Sequence, residues 1–131
     1  MKLELQLPPH PDSASRARHA VSELGRHLDG SQLRDVQLLV SELVTNAVRH
    51  ARLNSRDVIA LLVEISERAL HVEVRDSGPG FEPEDQPRPN PGLPSGWGLF
   101  LVEELSDRWG VELEAGTRVW FELDRHPFET A

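Results

Sequence analysis

The sequence predicts a two-layer α/β sandwich in which helices pack on one face of a mixed, largely antiparallel sheet. Two observations lead to this fold class. Segments with the two-residue hydrophobic period of strands occur mostly in hairpin-like pairs, and segments with the three- and four-residue period of helices stand apart from them. The resulting order is strand, helix, helix, strand, strand, loop, helix, strand, strand. Because short turns join the paired strands, we expect antiparallel neighbours with the helices gathered on one side.

The strands are predicted from alternating apolar residues. Leu3, Leu5 and Leu7 alternate with polar residues before Pro8, so residues 2–7 form a half-buried strand, which we place at a sheet edge. The remaining strands are predicted at about 57–65, 69–76, 109–115 and 118–123, with turns at Glu67-Arg68 and Gly116-Thr117.

Three helices are predicted from their periodicity and their start signals. The first begins near the cap candidates Asp12, Ser13 and Ser15 and runs to about residue 28. The second follows a cap at Ser31 and runs from about 32 to 51, and the third runs from about 96 to 107. In the second helix the apolar residues follow three- and four-residue steps, at Leu33, Val36, Val40, Leu43, Val44, Ala47 and Ala51.

Length and composition restrict the function classes. The chain has 131 residues, which is the size of one domain, with a frayed tail expected over 124–131. Its 14 Lys and Arg against 22 Asp and Glu give a net charge of −8, which disfavours direct binding to nucleic acid or to anionic membranes. With no Cys and no apolar run of membrane-spanning length, we expect a cytoplasmic protein without thiolate chemistry.

The first candidate site is a carboxylate–amide pair on the second predicted helix. Glu42 and Asn46 are four residues apart and therefore lie on the same helix face, at the border of the apolar arc. Their oxygen atoms suit a hard cation and an oriented water or hydroxyl. Taken alone, such a pair is more often an ordinary solvated pair of helix residues.

The second candidate site follows the strand that ends at Asp76. The sequence Asp76-Ser77-Gly78-Pro79-Gly80 places a carboxylate at the strand end and allows a ligand to approach the glycine backbone closely. An ionised Asp accepts hydrogen bonds, so it suits a donor such as an exocyclic amine. Taken alone, the segment is more often a simple turn.

The third candidate site lies at the start of the third predicted helix, in Ser95-Gly96-Trp97-Gly98-Leu99. Unpaired backbone N–H groups at a helix N-terminus favour phosphate, although a single G-x-G is a weak signal and fits a flexible junction equally well. The preceding segment, residues 77–95, holds six of the ten prolines and is predicted to be a long functional loop. In this order the three sites provide a metal site, a base pocket and a phosphate site for a nucleotide.

These residues resemble the GHKL, or histidine-kinase-like, ATPase superfamily. Residues 42–51 resemble its N box, 76–81 its first glycine box and 96–103 its second, and the likeness extends over about 3–123. The nearest resemblance is to bacterial anti-sigma-factor serine/threonine kinases and their stand-alone actinobacterial relatives. It implies a single Bergerat-type ATPase domain over 1–131, with an ATP lid at about 82–95.

The resemblance also implies roles for the candidate residues. Asn46 would hold Mg²⁺ on the nucleotide phosphates, and Glu42 would be the catalytic base. Asp76 would bind the adenine amine. The remaining nucleotide-binding residues would be Gly78, Gly80, Ser95, Gly96, Gly98 and Leu99.

The function implied by the resemblance is an anti-sigma factor that sequesters a sigma factor and uses Mg-ATP to phosphorylate a serine of an anti-anti-sigma (STAS-type) partner. The resemblance also implies a homodimer, across which the first strand would pair or pack. Three positions depart from the family pattern. Trp97 replaces a frequent Arg, Pro94 precedes Ser95 where some anti-sigma kinases carry Arg, and Arg118 stands where relatives often carry Thr, with Thr117 one residue earlier. The first two favour an alternative, an ATP-sensing protein-binding switch with little or no phosphotransfer. A detached sensor-kinase core is a third and less favoured hypothesis, because no phosphoacceptor helix pair precedes Leu3.

Overall fold

The computed structural model describes residues 1–50, 57–76, 98–113 and 116–125 of the chain. Within these ranges it contains five strands, three α-helices and one 3₁₀ turn. Along the chain they are β1 (Lys2–Leu7), α1 (Ser13–Ser22), the 3₁₀ turn (Glu23–Arg26), α2 (Gly30–His50), β2 (Ile59–Ile65), β3 (Ala69–Asp76), α3 (Gly98–Leu105), β4 (Arg108–Glu112) and β5 (Thr117–Asp124).

The strands form one five-stranded sheet in the order β1-β2-β3-β5-β4. All four of its pairings are antiparallel, which confirms the predicted fold class and makes the sheet more uniform than the mixed sheet expected. The edge position predicted for residues 2–7 is also confirmed, because β1 pairs with β2 alone. The central pairing joins β3 to β5, although α3 and β4 lie between these two strands in the sequence. It therefore connects the first half of the chain to the second.

The two faces of the sheet differ in chemistry because side chains alternate along each strand. The helix-facing side carries the buried apolar residues of every central strand, among them Val63, Val72 and Phe121. These pack with buried residues of the helices, including Val21, Val40 and Val44, in one core. The opposite side, called the outer face below, carries charged and polar residues. The helices therefore cover one face, as predicted.

The helix starts and ends differ from the sequence-based prediction in specific ways. The first helix ends at Ser22 and continues as the 3₁₀ turn, instead of running unbroken to residue 28. The second begins at Gly30, because Asp29 caps it: its Oδ1 accepts a hydrogen bond from the backbone N–H of Gln32 at 2.7 Å. Ser31, the predicted cap, lies inside the first turn of α2.

The strand ends also shift slightly. β4 begins one residue earlier than predicted, at Arg108, and ends at Glu112. Gly116 adopts φ 114°, a conformation that favours glycine, and β5 then starts at Thr117. β5 also includes Asp124, the first residue of the predicted tail, and Arg125 donates a 2.8 Å hydrogen bond to the His27 carbonyl. The rest of that tail, 126–131, and the predicted lid, 82–95, lie outside the described residues.

Within the described ranges, no helix is long and apolar enough to cross a membrane. The longest, α2, spans 21 residues and mixes buried apolar positions with charged ones.

Candidate nucleotide site

The carboxylate–amide pair lies on the helix that contributes most to the core. Leu43, Val44 and Ala47 are buried in the sheet–helix interface. Glu42 and Asn46 flank them and are half-buried, at the border between the core and the helix surface. One helical turn separates the two side chains, so they project from the same face of α2. The structure thus places both residues where the sequence predicted them.

Burial changes the acidity of Glu42. Its partial removal from water raises the pKa of the carboxyl above the ordinary value, and the charge of Arg49 opposes this only in part. A carboxylate with a raised pKa holds a proton more readily than an exposed one. This property suits a group that must accept a proton from a hydroxyl near neutral pH.

Asp76 is the last residue of β3, and its side chain lies on the helix side of the sheet. The strand alternates strictly here, so Asp76 shares its face with the buried residues Val72 and Val74. It is itself half-buried. The helix α2 packs against β3, so the E-x-x-x-N pair lies on the side of the sheet that Asp76 faces.

In the sequence, Thr117 stands one residue before the position where relatives often carry Thr. The sheet register nevertheless places Thr117 beside the candidate residue Asp76. Thr117 is the direct cross-strand partner of Asp76 and is only 5% exposed, on the same face. Arg118 points to the outer face. Because one residue of offset reverses the face of a strand, Thr117 and not Arg118 is the β5 residue beside Asp76. The only signal in the sequence was the distance from Gly116, the turn that starts β5.

The third candidate site is described in part. The helix α3 begins at Gly98, and Leu99 packs against the hydrophobic core beside α2. Its burial anchors the first turn of the helix. Gly78, Gly80, Ser95 and Gly96, together with Pro94 and Trp97, lie outside the described residues. On the helix side of the sheet the described residues thus include Glu42 and Asn46 on α2, the cross-strand pair Asp76 and Thr117, and the start of α3.

A family model for the histidine kinase-like ATPase domain matches residues 7–123. The chain belongs to this family. The match begins at the last residue of β1 and ends at Leu123, one residue before the end of β5, so it includes every described helix and the strands β2, β3 and β4 in full.

Curated relatives match this ATPase domain over nearly its full length. The anti-sigma F factor of Clostridium acetobutylicum is 35% identical over 124 residues, covering 88% of this chain and 86% of that protein. The anti-sigma F factor of Geobacillus thermodenitrificans is 30% identical and covers 95% and 92%. The serine-protein kinase RsbW of Listeria innocua is 30% identical and covers 90% and 83%.

Solved structures support the fold of the domain independently. The histidine kinase domain of the blue-light activated histidine kinase of Erythrobacter litoralis superposes with a TM-score of 0.56 at 26% identity. The match covers 89% of this chain, and the chain spans 61% of that structure's length. The sheet and helices described above therefore share the fold of this histidine kinase domain.

The raised pKa of Glu42 predicts a stability effect. Between pH 4.5 and the higher folded-state pKa, the native protein binds more protons than the unfolded chain, so the free energy of unfolding falls as the pH rises. A Glu42→Gln substitution removes this fall in the free energy of unfolding, because the glutamine side chain does not titrate. We expect the variant to be more stable than the wild type at pH 7 and equally stable below pH 4.5, measured by urea unfolding.

An exposed carboxylate on α3 provides the control, because Glu104→Gln changes a charge without changing a buried group. That variant should show no such pH-dependent difference. A Glu42→Gln protein that is less stable than the wild type at pH 7 would mean that a cationic partner stabilises ionised Glu42, contrary to the effect of burial.

Proposed function

We propose that this protein is an ATP-binding anti-sigma factor that also acts as a protein serine kinase on an anti-anti-sigma (STAS-type) partner. One observation carries the proposal. A half-buried carboxylate–amide pair on α2 lies on the same side of the sheet as the paired residues Asp76 and Thr117. The names of the relatives, anti-sigma F factor and serine-protein kinase, support it over most of the chain.

The catalytic roles follow from the chemistry of α2. Phosphoryl transfer depends mainly on positioning and on neutralising phosphate charge. The amide oxygen of Asn46 is a hard donor that suits Mg²⁺, which prefers a few protein oxygens together with phosphate and water oxygens. Glu42 accepts the proton of the serine hydroxyl as the serine oxygen bonds to the γ-phosphorus. The bond from that phosphorus to the bridging oxygen breaks, and ADP leaves.

The base pocket is assigned to the ends of β3 and β5. Asp76 accepts a hydrogen bond from the adenine amine, and the adjacent hydroxyl of Thr117 adds a second polar group on the same face. Gly78 and Gly80 follow Asp76 and allow the base to approach the backbone. Ser95, Gly96, Gly98 and Leu99 bind the phosphates at the start of α3, and residues 82–95 form the lid.

The partners are proposed from the names of the relatives and from charge. A chain with a net charge of −8 suits a protein partner with basic patches more than nucleic acid. We place the protein in the cytoplasm, where a sigma factor operates, as a single domain over 1–131. A homodimer through the β1 edge is proposed because β1 leaves one row of backbone groups without a strand neighbour.

The alternative function is an ATP-sensing switch that binds its partner without transferring phosphate. Trp97 and Pro94 favour it, because they replace lid cations that would neutralise the γ-phosphate. Nucleotide binding would then order the lid and alter the affinity for the partner.

The base-pocket assignment predicts a loss of nucleotide affinity. Asp76→Asn keeps the shape of the side chain, but it removes the charge and presents an amide donor toward the adenine amine. We expect the Kd for ADP with Mg²⁺, measured by isothermal titration calorimetry, to rise at least tenfold. Asp107→Asn on the loop after α3 is the control, and an unchanged Kd for Asp76→Asn would refute the pocket.

The catalytic assignment predicts a separation of binding from transfer. Glu42→Gln retains Mg-ATP affinity and lowers phosphorylation of a STAS-type partner at least a hundredfold, measured with radiolabelled ATP. Wild-type protein that binds ATP tightly and phosphorylates no partner would support the switch. Absence of any nucleotide binding by the wild type would contradict both functions.

The dimer proposal predicts a mass of two chains in light scattering. Met1 and Ile65 exchange backbone hydrogen bonds, so the odd-numbered residues of β1 bond to β2 and the N–H of Glu4 faces the open edge. Glu4→Pro removes that outward donor, so we expect a shift toward monomer. A wild-type protein that is monomeric at micromolar concentration would refute the dimer while leaving the kinase proposal intact.

A further inference from the structure

The outer face of the sheet carries a row of alternating charges that crosses all five strands. The sheet register places one residue from each strand side by side. In order from β1 to β4 they are Lys2, Glu64, His71, Glu122 and Arg108. His71 occupies the centre of this row, and it is the only member whose charge changes near neutral pH. The charge state of the row therefore depends on one imidazole.

Both ring nitrogens of His71 contact carboxylate oxygens. Nδ1 lies 2.8 Å from Oε2 of Glu122 on β5, and Nε2 lies 2.8 Å from Oε1 of Glu73 on its own strand. Ionised carboxylates only accept hydrogen bonds, and a neutral imidazole donates from only one nitrogen. Two such contacts are therefore satisfied only by the doubly protonated, cationic ring. The ring also stacks on Trp120, with centroids 5.8 Å apart.

Both carboxylates are held in their ionised form by arginines. Arg118 on β5 donates to the same oxygen of Glu73 that contacts His71, and Arg75 Nε donates to the other at 3.0 Å. Glu122 accepts from Arg108 Nε on β4 at 2.8 Å. The Glu73 side chain is only 5% exposed, so these partners replace the water it has lost. Near neutral pH, His71 is thus the group in this cluster whose charge changes, because the carboxylates and arginines around it stay ionised.

The neighbouring strands contribute the remaining charges that face His71. Glu64 on β2 is its cross-strand partner, and Lys2 on β1 is the partner of Glu64 in turn. On the other side, Arg108 reaches His71 only through Glu122, and Arg75 and Arg118 reach it only through Glu73. The groups in direct contact with the ring are therefore acidic, and the cations lie one residue further away.

An open depression of about 780 Å³ gives solvent access to one side of the ring. Its lining includes Met1 and residues of β1, β2, β3 and β5. Because the depression reaches both His71 and its two carboxylate partners, the imidazole can exchange its proton with bulk water while the sheet stays paired.

We propose that His71 is a proton-dependent clamp that locks β3 to β5 on the outer face when it is protonated and loosens that pairing when it loses its proton. The neutral ring keeps one hydrogen bond and turns a lone pair toward a carboxylate on its other side. That contact is repulsive, and loss of the Nδ1 contact to Glu122 loosens β3 from β5, because Glu122 is the carboxylate on the opposite strand.

The acidities of the cluster set the pH range of the clamp. Partial burial by itself lowers the pKa of His71, but the hydrogen bonds and charges of Glu73 and Glu122 outweigh it and raise the pKa above 6.5. The hydrogen bond from Arg118, opposed by burial and aided by His71, lowers the pKa of Glu73 to about 2. The His71 contribution is therefore complete below pH 6.5 and is lost as the pH rises through the folded-state value. The Glu73 contribution is complete above pH 4.5 and is lost as the pH falls toward 2.

The clamp lies on the two strands that end at the candidate base pocket. Arg75 and Arg118 are cross-strand partners on the outer face, and the next pair along is Asp76 and Thr117 on the helix face. His71 and Glu122 lie five residue pairs from that site, and Arg118, which contacts Glu73, lies one pair from it. The clamp itself does not depend on any nucleotide being bound.

Two measurements on the full chain test the clamp. First, an NMR titration of the His71 ring should give a midpoint above 6.5. Second, exchange protection of the β3 and β5 backbone amides, corrected for the intrinsic pH dependence of exchange, should fall as the pH rises through that midpoint. The fall should be about tenfold for each pH unit by which the midpoint exceeds 6.5.

Three variants separate the clamp from a general effect of pH. Glu122→Gln should lower the His71 midpoint and move the loss of protection with it. His71→Gln, which keeps a hydrogen-bonding side chain that does not titrate, should abolish the pH dependence. His19→Gln on the exposed surface of α1 should leave both measurements unchanged. A wild-type midpoint at or below 6.5, or an unchanged pH dependence in His71→Gln, would overturn the proposal.

Discussion

The antiparallel pairing of β3 with β5 is the constraint on which the rest of the structure depends. It is the one strand pairing that joins the two halves of the chain, since α3 and β4 lie between these strands in sequence. Its register places Val72 opposite Phe121 in the core and Asp76 opposite Thr117 at the end. A shift of one residue would turn every one of these side chains to the wrong face.

The same pairing gives the two faces of the sheet different chemistry. The helix face buries apolar side chains and ends in the polar pair Asp76 and Thr117. The outer face holds Glu73 between two arginines and His71, with an alternating charge row beside it. Hydrophobic burial on one face is insensitive to pH, whereas the ionic contacts on the other are not. One pair of strands thus combines a stable core with a titratable surface.

The helix α2 combines stability and chemistry in a similar way. Its buried residues Leu43, Val44 and Ala47 hold the helix on the sheet, and that packing keeps Glu42 partly out of water. The energetic cost of burying this carboxylate is the physical basis of its raised pKa, and a raised pKa is what a proton acceptor at neutral pH requires. Core packing and the proposed catalytic role of Glu42 are therefore coupled through one helix turn.

Much of the local structure was determined by the sequence alone. The alternation of Leu3, Leu5 and Leu7 predicted an edge strand, and the spacing of Glu42 and Asn46 predicted a shared helix face, because period and spacing are local properties of the backbone. The predicted cap of α2, Ser31, was wrong, because Asp29 accepts the hydrogen bond from the N–H of Gln32 and the helix begins at Gly30.

Only the tertiary structure decided which residues meet across strands. Nothing local marks Thr117, rather than Arg118, as the partner of Asp76, and nothing local places His71 between Glu73 and Glu122. Both arrangements depend on the register of β3 against β5, whose partners are 41 to 55 residues apart in the chain. The core pair Val72 and Phe121 belongs to that register, and it is an interaction between distant segments that a hydrophobic period does not contain.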